Sequence, residues 1–162
     1  LLDMGVEPFL LASILTASLA QRLVRKVCTF CKEEYEAPEE LQNEVVQVIG
    51  EISANEVLIS KDPETAKVLS DIKAKTNGKY KLYRGKGCEK CDNTGYKGRV
   101  GIYELLTASD KISKAVLDGS PSSEITKIGV SEGMITLMQD GFLRALEGTT
   151  TLEEVMRVAR QW

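Results

Sequence analysis

All four cysteines of this chain lie in two CxxC pairs, CTFC at 28–31 and CEKC at 88–91. Two intervening residues allow a tight turn to direct both sulfurs at one point, and two such turns brought together form a tetrahedral site of four thiolates. Zinc accepts this ligand set, and four protein ligands leave no open position for water, so the predicted role of the metal is structural. The chain contains no histidine, and the predicted ligands are Cys28, Cys31, Cys88 and Cys91.

Three other uses of the cysteines compete with zinc. Two disulfides would require an oxidising compartment, and the sequence shows no secretory signal. A thioredoxin-type redox motif would explain one pair and leave the other unused. An iron site with four cysteine ligands uses the same residues and stays open as an alternative.

The distance between the pairs predicts an insertion. The 56 residues between Cys31 and Cys88 exceed the roughly 15 to 20 of a compact zinc ribbon. We therefore expect an arm that buries little by itself and whose ends are tied together by the metal. Structural zinc contributes about 10 to 16 kcal/mol in small peptides, as much as the whole stability of many domains, so we expect the arm to need its metal.

The region before the first pair predicts a helix that is buried on most of its surface. Its longest charge-free stretch, 8–21, has 14 residues, whereas a membrane span needs 18 or more. Proline suits the first position of a helix, and apolar residues are dense from Pro8 to Val27. We therefore predict one buried helix over this range.

Two helices and two strands are predicted in the arm. One helix begins at Pro38 and ends at Gly50, and the other is capped by Asp62 and ends at 77–78. The strands are predicted over 55–60 and 79–83.

The rest of the chain is predicted to be one strand, at 99–106, followed by four helices. The helices are predicted over 110–118, 121–130, 134–147 and 151–161. The string TTLE at 150–153 fits a capping box at the start of the last helix. The predicted fold class is α+β, mostly helical.

Charge is divided between the two halves of the arm. Residues 33–64 hold ten acidic residues and one basic residue, whereas 73–99 hold nine basic and two acidic residues. A nucleic-acid surface would look like the basic half. Because the formal net charge of the chain is −3, we favour the interpretation that the two halves face each other or are solvated.

The sequence lacks the motifs of common catalytic sites. GxxxxGK[ST] does not occur, and without histidine neither a Ser-His-Asp triad nor HExxH is possible. No pair of carboxylates stands out as catalytic.

Four strings, read in order, resemble one known family. They are LLDMGVEPFLLAS from residue 1, AQRLVRKVCTFCKEEY from 20, GCEKCDNTGYKGRVGIYELL from 87 and EGMITLMQDGFLRALEGTTTLEEVMRV from 132. In this order and spacing they resemble the carboxyl-terminal part of the secretion ATPases of type II secretion and type IV pilus assembly. The resemblance covers nearly the whole chain except about 37–78.

The resemblance implies a role in protein transport. It implies a cytoplasmic homo-hexameric P-loop ATPase at the cytoplasmic face of the inner membrane, peripheral to the membrane, which acts through an inner-membrane platform protein and not on nucleic acid. It also implies that the four cysteines stand at the zinc-ligand positions of the family. Retraction-type relatives typically lack these cysteines, so an extension or secretion motor fits better.

The resemblance also implies three regions and a missing active site. The regions are 1–27, the last part of the P-loop core with its buried helix; 28–98, the tetracysteine zinc arm; and 99–162, a strand with a carboxyl-terminal helical bundle. The Walker A, Walker B, acidic and histidine boxes of the family precede the first string. We therefore expect ATP and Mg²⁺ to bind only to a longer parent protein, and this chain, which opens without Met, not to hydrolyse ATP alone.

Two alternative functions are kept beside the motor. The first is a stand-alone zinc-binding protein or RNA interaction module, which rests on the basic stretch at 73–99 alone. The second is a chaperone cysteine-rich domain, suggested by CDNTGYKG beside a CxxC. It fails because such domains repeat the motif several times.

Overall fold

A computed structural model describes residues 4–75 and 79–159 and shows an α+β fold in which helices make up about half of the chain. The strands are β1 (Ala17–Val27), β2 (Lys32–Glu36), β3 (Lys81–Gly85) and β4 (Tyr96–Thr107). The helices are α1 (Pro8–Ile14), α2 (Glu39–Ala54), α3 (Glu56–Lys61), α4 (Pro63–Lys75), α5 (Asp110–Leu117), α6 (Ser122–Ser131), α7 (Leu137–Leu146) and α8 (Leu152–Ala159). No described helix combines the length and the apolar character needed to cross a membrane.

The predicted buried helix over 8–27 is wrong. Only α1 is helical, none of its residues is buried, and the chain then forms the long strand β1. Leu19 and Leu23 are spaced as on a helix, but β1 pairs antiparallel with β4 over ten register positions. That partner lies about 80 residues away in the sequence, so local periodicity cannot reveal it. The predicted strand at 99–106 is confirmed as part of β4.

Two small antiparallel sheets organise the chain around the cysteines. β1 pairs with β4, and β2 pairs with β3. On the inner face of the first sheet, Val24 and Ile102 are completely buried. On its outer face, Leu19 pairs in register with Leu105 and both side chains are more than half exposed. The first sheet therefore has one packed face and one apolar face open to solvent.

The described part of the arm contains three helices and not two. The segment 55–60, predicted as a strand, is helix α3, because the Asn55 side chain accepts a hydrogen bond from the Leu58 amide (3.0 Å) and caps it. Gly50 does not end α2, which continues to Ala54 because the flanking Ile49 and Ile52 are buried and offset the poor helix propensity of glycine.

The cap of α4 is confirmed, because Asp62 Oδ1 accepts hydrogen bonds from the Glu64 and Thr65 amides. Its predicted end at 77–78 lies outside the described residues.

One hydrophobic core joins the arm to the carboxyl-terminal helices. The core is formed by buried residues from α2, α3, α4, β3, α7 and α8, and they are Val45, Ile49, Ile52, Leu58, Leu69, Ile72, Leu82, Phe142, Leu143, Ala145, Leu146, Leu152 and Val155. The apolar residues of the arm are therefore buried together with those of α7 and α8. Its helices are stabilised by packing against α7 and α8, and we therefore expect them to hold together without a metal.

The four helices predicted after β4 are confirmed within the described residues, with shifts of a few residues at their ends, and the predicted end of the last one, at 161, lies outside those residues. The turn between α7 and α8 depends on Gly148, whose φ of +75° is left-handed. Its neighbour Thr149 donates its amide to Arg144 O, five residues earlier, in the hydrogen-bond pattern that ends helices. The cap of α8 is one residue later than predicted, since Thr151 Oγ1 accepts from the Glu154 amide at 3.3 Å. The carboxylate of Glu154 is used elsewhere, as described below.

Candidate metal centre

The two CxxC turns lie where the two sheets meet. Cys28 follows β1 directly and Cys31 precedes β2, while Cys88 precedes the short 3-10 turn between β3 and β4 (Glu89–Cys91) and Cys91 ends it. Each turn closes on itself, with the Cys31 amide bound to Cys28 O (3.3 Å) and the Cys91 amide bound to Cys88 O (3.1 Å). The arm thus leaves and returns to the first sheet at a single point.

The structure brings the four predicted cysteines together. Their sulfurs all lie within 4.8 Å of one another, and Cys28 and Cys91 are buried. The separations are 3.9 Å for Cys28–Cys88, 3.8 Å for Cys31–Cys91 and 3.7 Å for Cys88–Cys91. A tetrahedron with metal–sulfur bonds of about 2.3 Å has edges of about 3.8 Å. The cluster therefore fits one metal ion with four thiolate ligands.

Main-chain hydrogen bonds cross between the two turns. The Cys28 amide donates to Gly95 O (2.9 Å), and the Lys86 amide donates to Cys31 O (3.0 Å). Gly95 has a φ of +77°, and a Cβ at this position would collide with the Gly85 carbonyl. A glycine is required here because the two backbones approach too closely for any side chain.

Backbone amides also point at the sulfurs. The Cys88 amide lies 3.2 Å from Cys91 Sγ. Burial acts to raise the pKa of the Cys91 thiol, but hydrogen bonds from the Cys88 and Gly95 amides outweigh it and lower that pKa to about 6. At Cys31, burial dominates and raises the pKa to about 12. Amide donors such as those at Cys91 stabilise the thiolate form that a metal requires.

The sulfur separations discriminate between the competing interpretations. A disulfide has an S–S length of about 2.05 Å, and all four cysteines are free. A two-cysteine redox centre would leave one pair apart from the other, whereas here both pairs form one cluster. Zinc and iron share this geometry, so the geometry does not separate them.

Ion pairs connect the acidic and basic strands beside the site. Glu33 contacts both Arg84 and Lys86 at 2.8 Å, and Glu34 contacts Lys81 at 2.5 Å, across the β2–β3 pair. The interpretation that the two charged halves of the arm face each other is confirmed for this pair of strands. These basic side chains are therefore already paired with carboxylates.

A buried carboxylate supports the strand that leads into the first turn, and the sequence did not single it out. Glu154 on α8 is 2% exposed and accepts hydrogen bonds from the Arg25 amide and guanidinium and from Arg157. Burial alone would raise the pKa of Glu154, but these donors outweigh it and lower that pKa to about 2. The available signal was a glutamate among apolar residues of an amphipathic helix, on the side that faces the core.

Fold and site together define an α+β chain whose two CxxC turns form one cluster able to hold a metal ion. The sequence profile described as "Type II/IV secretion system protein" matches residues 1–157, and the chain belongs to this family.

Curated relatives agree with the family. The chain is 42% identical over 154 residues to a "Type IV pilus assembly ATPase PilB" of Thermus thermophilus, covering 95% of this chain and 14% of the relative. It is 37% identical over 161 residues to a "Type II secretion system protein E" of Pseudomonas aeruginosa, covering 99% of this chain and 26% of the relative. The chain therefore spans about a quarter or less of the length of these relatives.

Proposed function

We propose that the four cysteines bind one structural zinc ion that joins the start and the end of the arm. The observation that carries this proposal is the sulfur cluster: all four sulfurs lie within 4.8 Å of one another, and three of the six separations, 3.7 to 3.9 Å, match the edges of a zinc–sulfur tetrahedron. Bound zinc would supply no reaction chemistry here, because four thiolates leave it no open position. The protein residues supply the shape: two tight turns, cross-linked by main-chain hydrogen bonds.

Metal content tests this proposal directly. The purified 162-residue chain should contain one zinc ion per molecule by mass spectrometry of its metals, and iron should be absent. Cobalt substitution should give the intense visible bands of tetrahedral thiolate ligation. A coloured protein with one iron ion per molecule would show that the same four ligands bind iron and not zinc. A chain without bound metal after purification under reducing conditions would contradict the proposal.

We further propose that the chain is the carboxyl-terminal region of a hexameric P-loop motor ATPase that powers type II secretion or type IV pilus assembly. Membership of the family and the named relatives support this proposal. Nucleotide binding, hydrolysis and hexamer formation belong in this proposal to the longer protein, because the chain has no P-loop. The proposed location is the cytoplasmic face of the inner membrane, reached through a platform protein.

The open face of the β1–β4 sheet supports a junction with the rest of such a motor. Leu19, Leu23, Tyr103 and Leu105 are between 41% and 63% exposed on this face. An apolar sheet face of this kind is normally covered by another part of the protein. We propose that the ATPase core of the parent protein covers it, so that 1–27 together with β4 connects the core to the metal-binding arm 28–98 and to the carboxyl-terminal region 99–162.

For the metal-bound turns we propose docking and force transmission. Phe30, between the two cysteines of the first turn, is 67% exposed, and Lys97 lies over its ring at 5.5 Å. An aromatic ring held on a rigid turn loses little entropy on binding, which suits an anchor in a protein interface. The proposed partner is the cytoplasmic part of the platform protein.

Phe30→Ala in the full-length parent should weaken capture of that platform domain about tenfold or more, because it removes an interface anchor. Zinc content and thermal stability should be unchanged, since the side chain is exposed. Leu117→Ala, which removes another half-exposed apolar side chain on α5, serves as the matched control. Equal binding by the Phe30 variant and the parent protein would rule out this anchor.

A further inference from the structure

Both sides of the first CxxC turn are attached to the turn between α7 and α8. On the upstream side, the Val27 amide donates to Thr149 O at 3.0 Å. On the downstream side, Lys32 Nζ lies 3.5 Å from Glu147 O, at the carboxyl end of α7. The first CxxC turn is therefore flanked by one backbone hydrogen bond and one longer side-chain contact, both to the α7–α8 turn.

Arg25 is held at both of its backbone polar groups by the same region. Its amide donates to Glu154 Oε2 at 3.1 Å, and its carbonyl accepts from Thr150 Oγ1 at 2.8 Å. Thr150 is completely buried. The register between β1 and β4 is irregular between Arg25 and Val27. Glu154 and Thr150 thus bind the backbone at the point where the strand ladder is irregular, just before the cysteines.

The second CxxC turn is linked to the same cluster through Tyr96. The Arg25 guanidinium lies over the Tyr96 ring at 4.1 Å, and the Tyr96 hydroxyl contacts Thr151 Oγ1 at 3.1 Å. Tyr96 follows Gly95, whose carbonyl accepts the Cys28 amide. One set of contacts from the start of α8 therefore reaches both halves of the metal centre.

We propose that Glu154 is a positioning residue for the metal centre: through Arg25 and the α7–α8 turn it sets the backbone geometry of the cysteine turns. This inference rests on the proposed metal binding. Its consequence is that α8 and the metal centre are coupled, so that a displacement of α8 changes metal affinity, and metal binding orders the start of α8. Such reciprocity is a thermodynamic necessity once two sites are coupled.

The test compares metal affinity among variants of the 162-residue chain. Glu154→Gln removes the charge with little change of shape, and Thr150→Val removes only the hydrogen bond to Arg25 O. Both should weaken zinc binding about threefold to tenfold in competition with a chromophoric chelator, somewhat less than the effect of groups that bond metal ligands directly. Both should also shift the visible bands of the cobalt-substituted protein.

Two controls separate positioning from general stability. Val155→Ala, in the core on the same helix, should lower thermal stability and leave the cobalt spectrum and zinc affinity unchanged. Glu124→Gln removes one exposed carboxylate from α6 and should change neither. If Val155→Ala is destabilised as much as Glu154→Gln and loses as much zinc affinity, the proposal is overturned. Unchanged zinc affinity in Glu154→Gln would also overturn it. If Glu154→Gln does not fold, Thr150→Val decides.

A metal-free measurement distinguishes failure of this inference from failure of the proposed zinc site. Hydrogen exchange of the Val27 and Cys28 amides, followed with chelator present, should be faster in Glu154→Gln than in Val155→Ala. If the unmodified 162-residue chain binds no metal but this difference in exchange is seen, the positioning role stands and the zinc proposal fails. If zinc binds and neither affinity nor exchange responds to Glu154→Gln, only the positioning role fails.

Discussion

Cys91→Ser should lower the zinc affinity of the chain about a hundredfold or more. Structural zinc sites with four ligands contribute about 10 to 16 kcal/mol, or about 3 kcal/mol per ligand, and every 1.4 kcal/mol is a factor of ten in affinity. Cys91 is buried among the other sulfurs, so water cannot easily replace the lost thiolate. Competition with a chromophoric chelator measures the change, and Thr29→Ala, within the first turn but not a ligand, is the control.

The fold should largely survive this loss. The core residues of α2, α4, α7 and α8 pack without contribution from the cysteines, so the helical signal in circular dichroism should persist in Cys91→Ser and in chelator. Order should be lost around 28–31 and 85–95, where hydrogen exchange should increase. Global unfolding on chelation would show that the metal, and not the shared core, holds the arm. In the longer motor protein proposed above, replacing all four cysteines by serine should abolish pilus assembly or secretion and leave nucleotide binding intact.

Glu154→Gln should destabilise the metal-free chain at pH 7 by about 2 to 3 kcal/mol. The contacts of Glu154 lower its pKa from 4.5 to about 2, and each unit of pKa difference corresponds to about 1.4 kcal/mol. The Arg25 and Arg157 side chains are half exposed, and solvent screening reduces the full value somewhat. Urea unfolding under reducing conditions with chelator measures the difference.

The same variant defines a pH dependence. A carboxyl whose pKa is lower in the folded state contributes stability above its unfolded pKa, and that stability is lost as pH falls through the folded pKa. The difference in free energy of unfolding between the unmodified 162-residue chain and Glu154→Gln should therefore shrink from about pH 4.5 downwards and disappear near pH 2. The charged and polar groups facing the carboxylate are Arg25 from β1, Arg157 from α8 and, one contact away, Tyr96 from β4. For the exposed control Glu124→Gln, the stability difference from the unmodified chain should stay constant across this pH range. A constant difference for Glu154→Gln would contradict the linkage.

The candidate site followed from the sequence because its signal is local. Two cysteines separated by two residues already direct their sulfurs together, and the absence of histidine left four thiols as the predicted ligand set. The predicted Asp62 cap and the four helices after β4 likewise depend on residues within one turn of each other. Such features survive in the folded chain because their partners are sequence neighbours.

The errors occurred where a distant partner decides. The stretch 17–27 has apolar spacing compatible with a helix, and only hydrogen bonding to β4 makes it a strand. Helix α3 forms although β-branched residues favoured a strand, because Asn55 caps it and its side-chain amide donates to Val130 O at 2.6 Å. Glu154 gains its role from Arg25, more than a hundred residues earlier.

The amino-acid sequence by itself determined the identity of the four thiols, the turns that carry them and most of the helices, since each depends on interactions within a few residues. Only the tertiary structure decided that the arm shares its hydrophobic core with α7 and α8, that β1 is a strand, and that a buried carboxylate on the last helix holds the backbone before Cys28. These features depend on contacts between residues far apart in the sequence, and the free energy of such contacts exists only once the chain has closed around them.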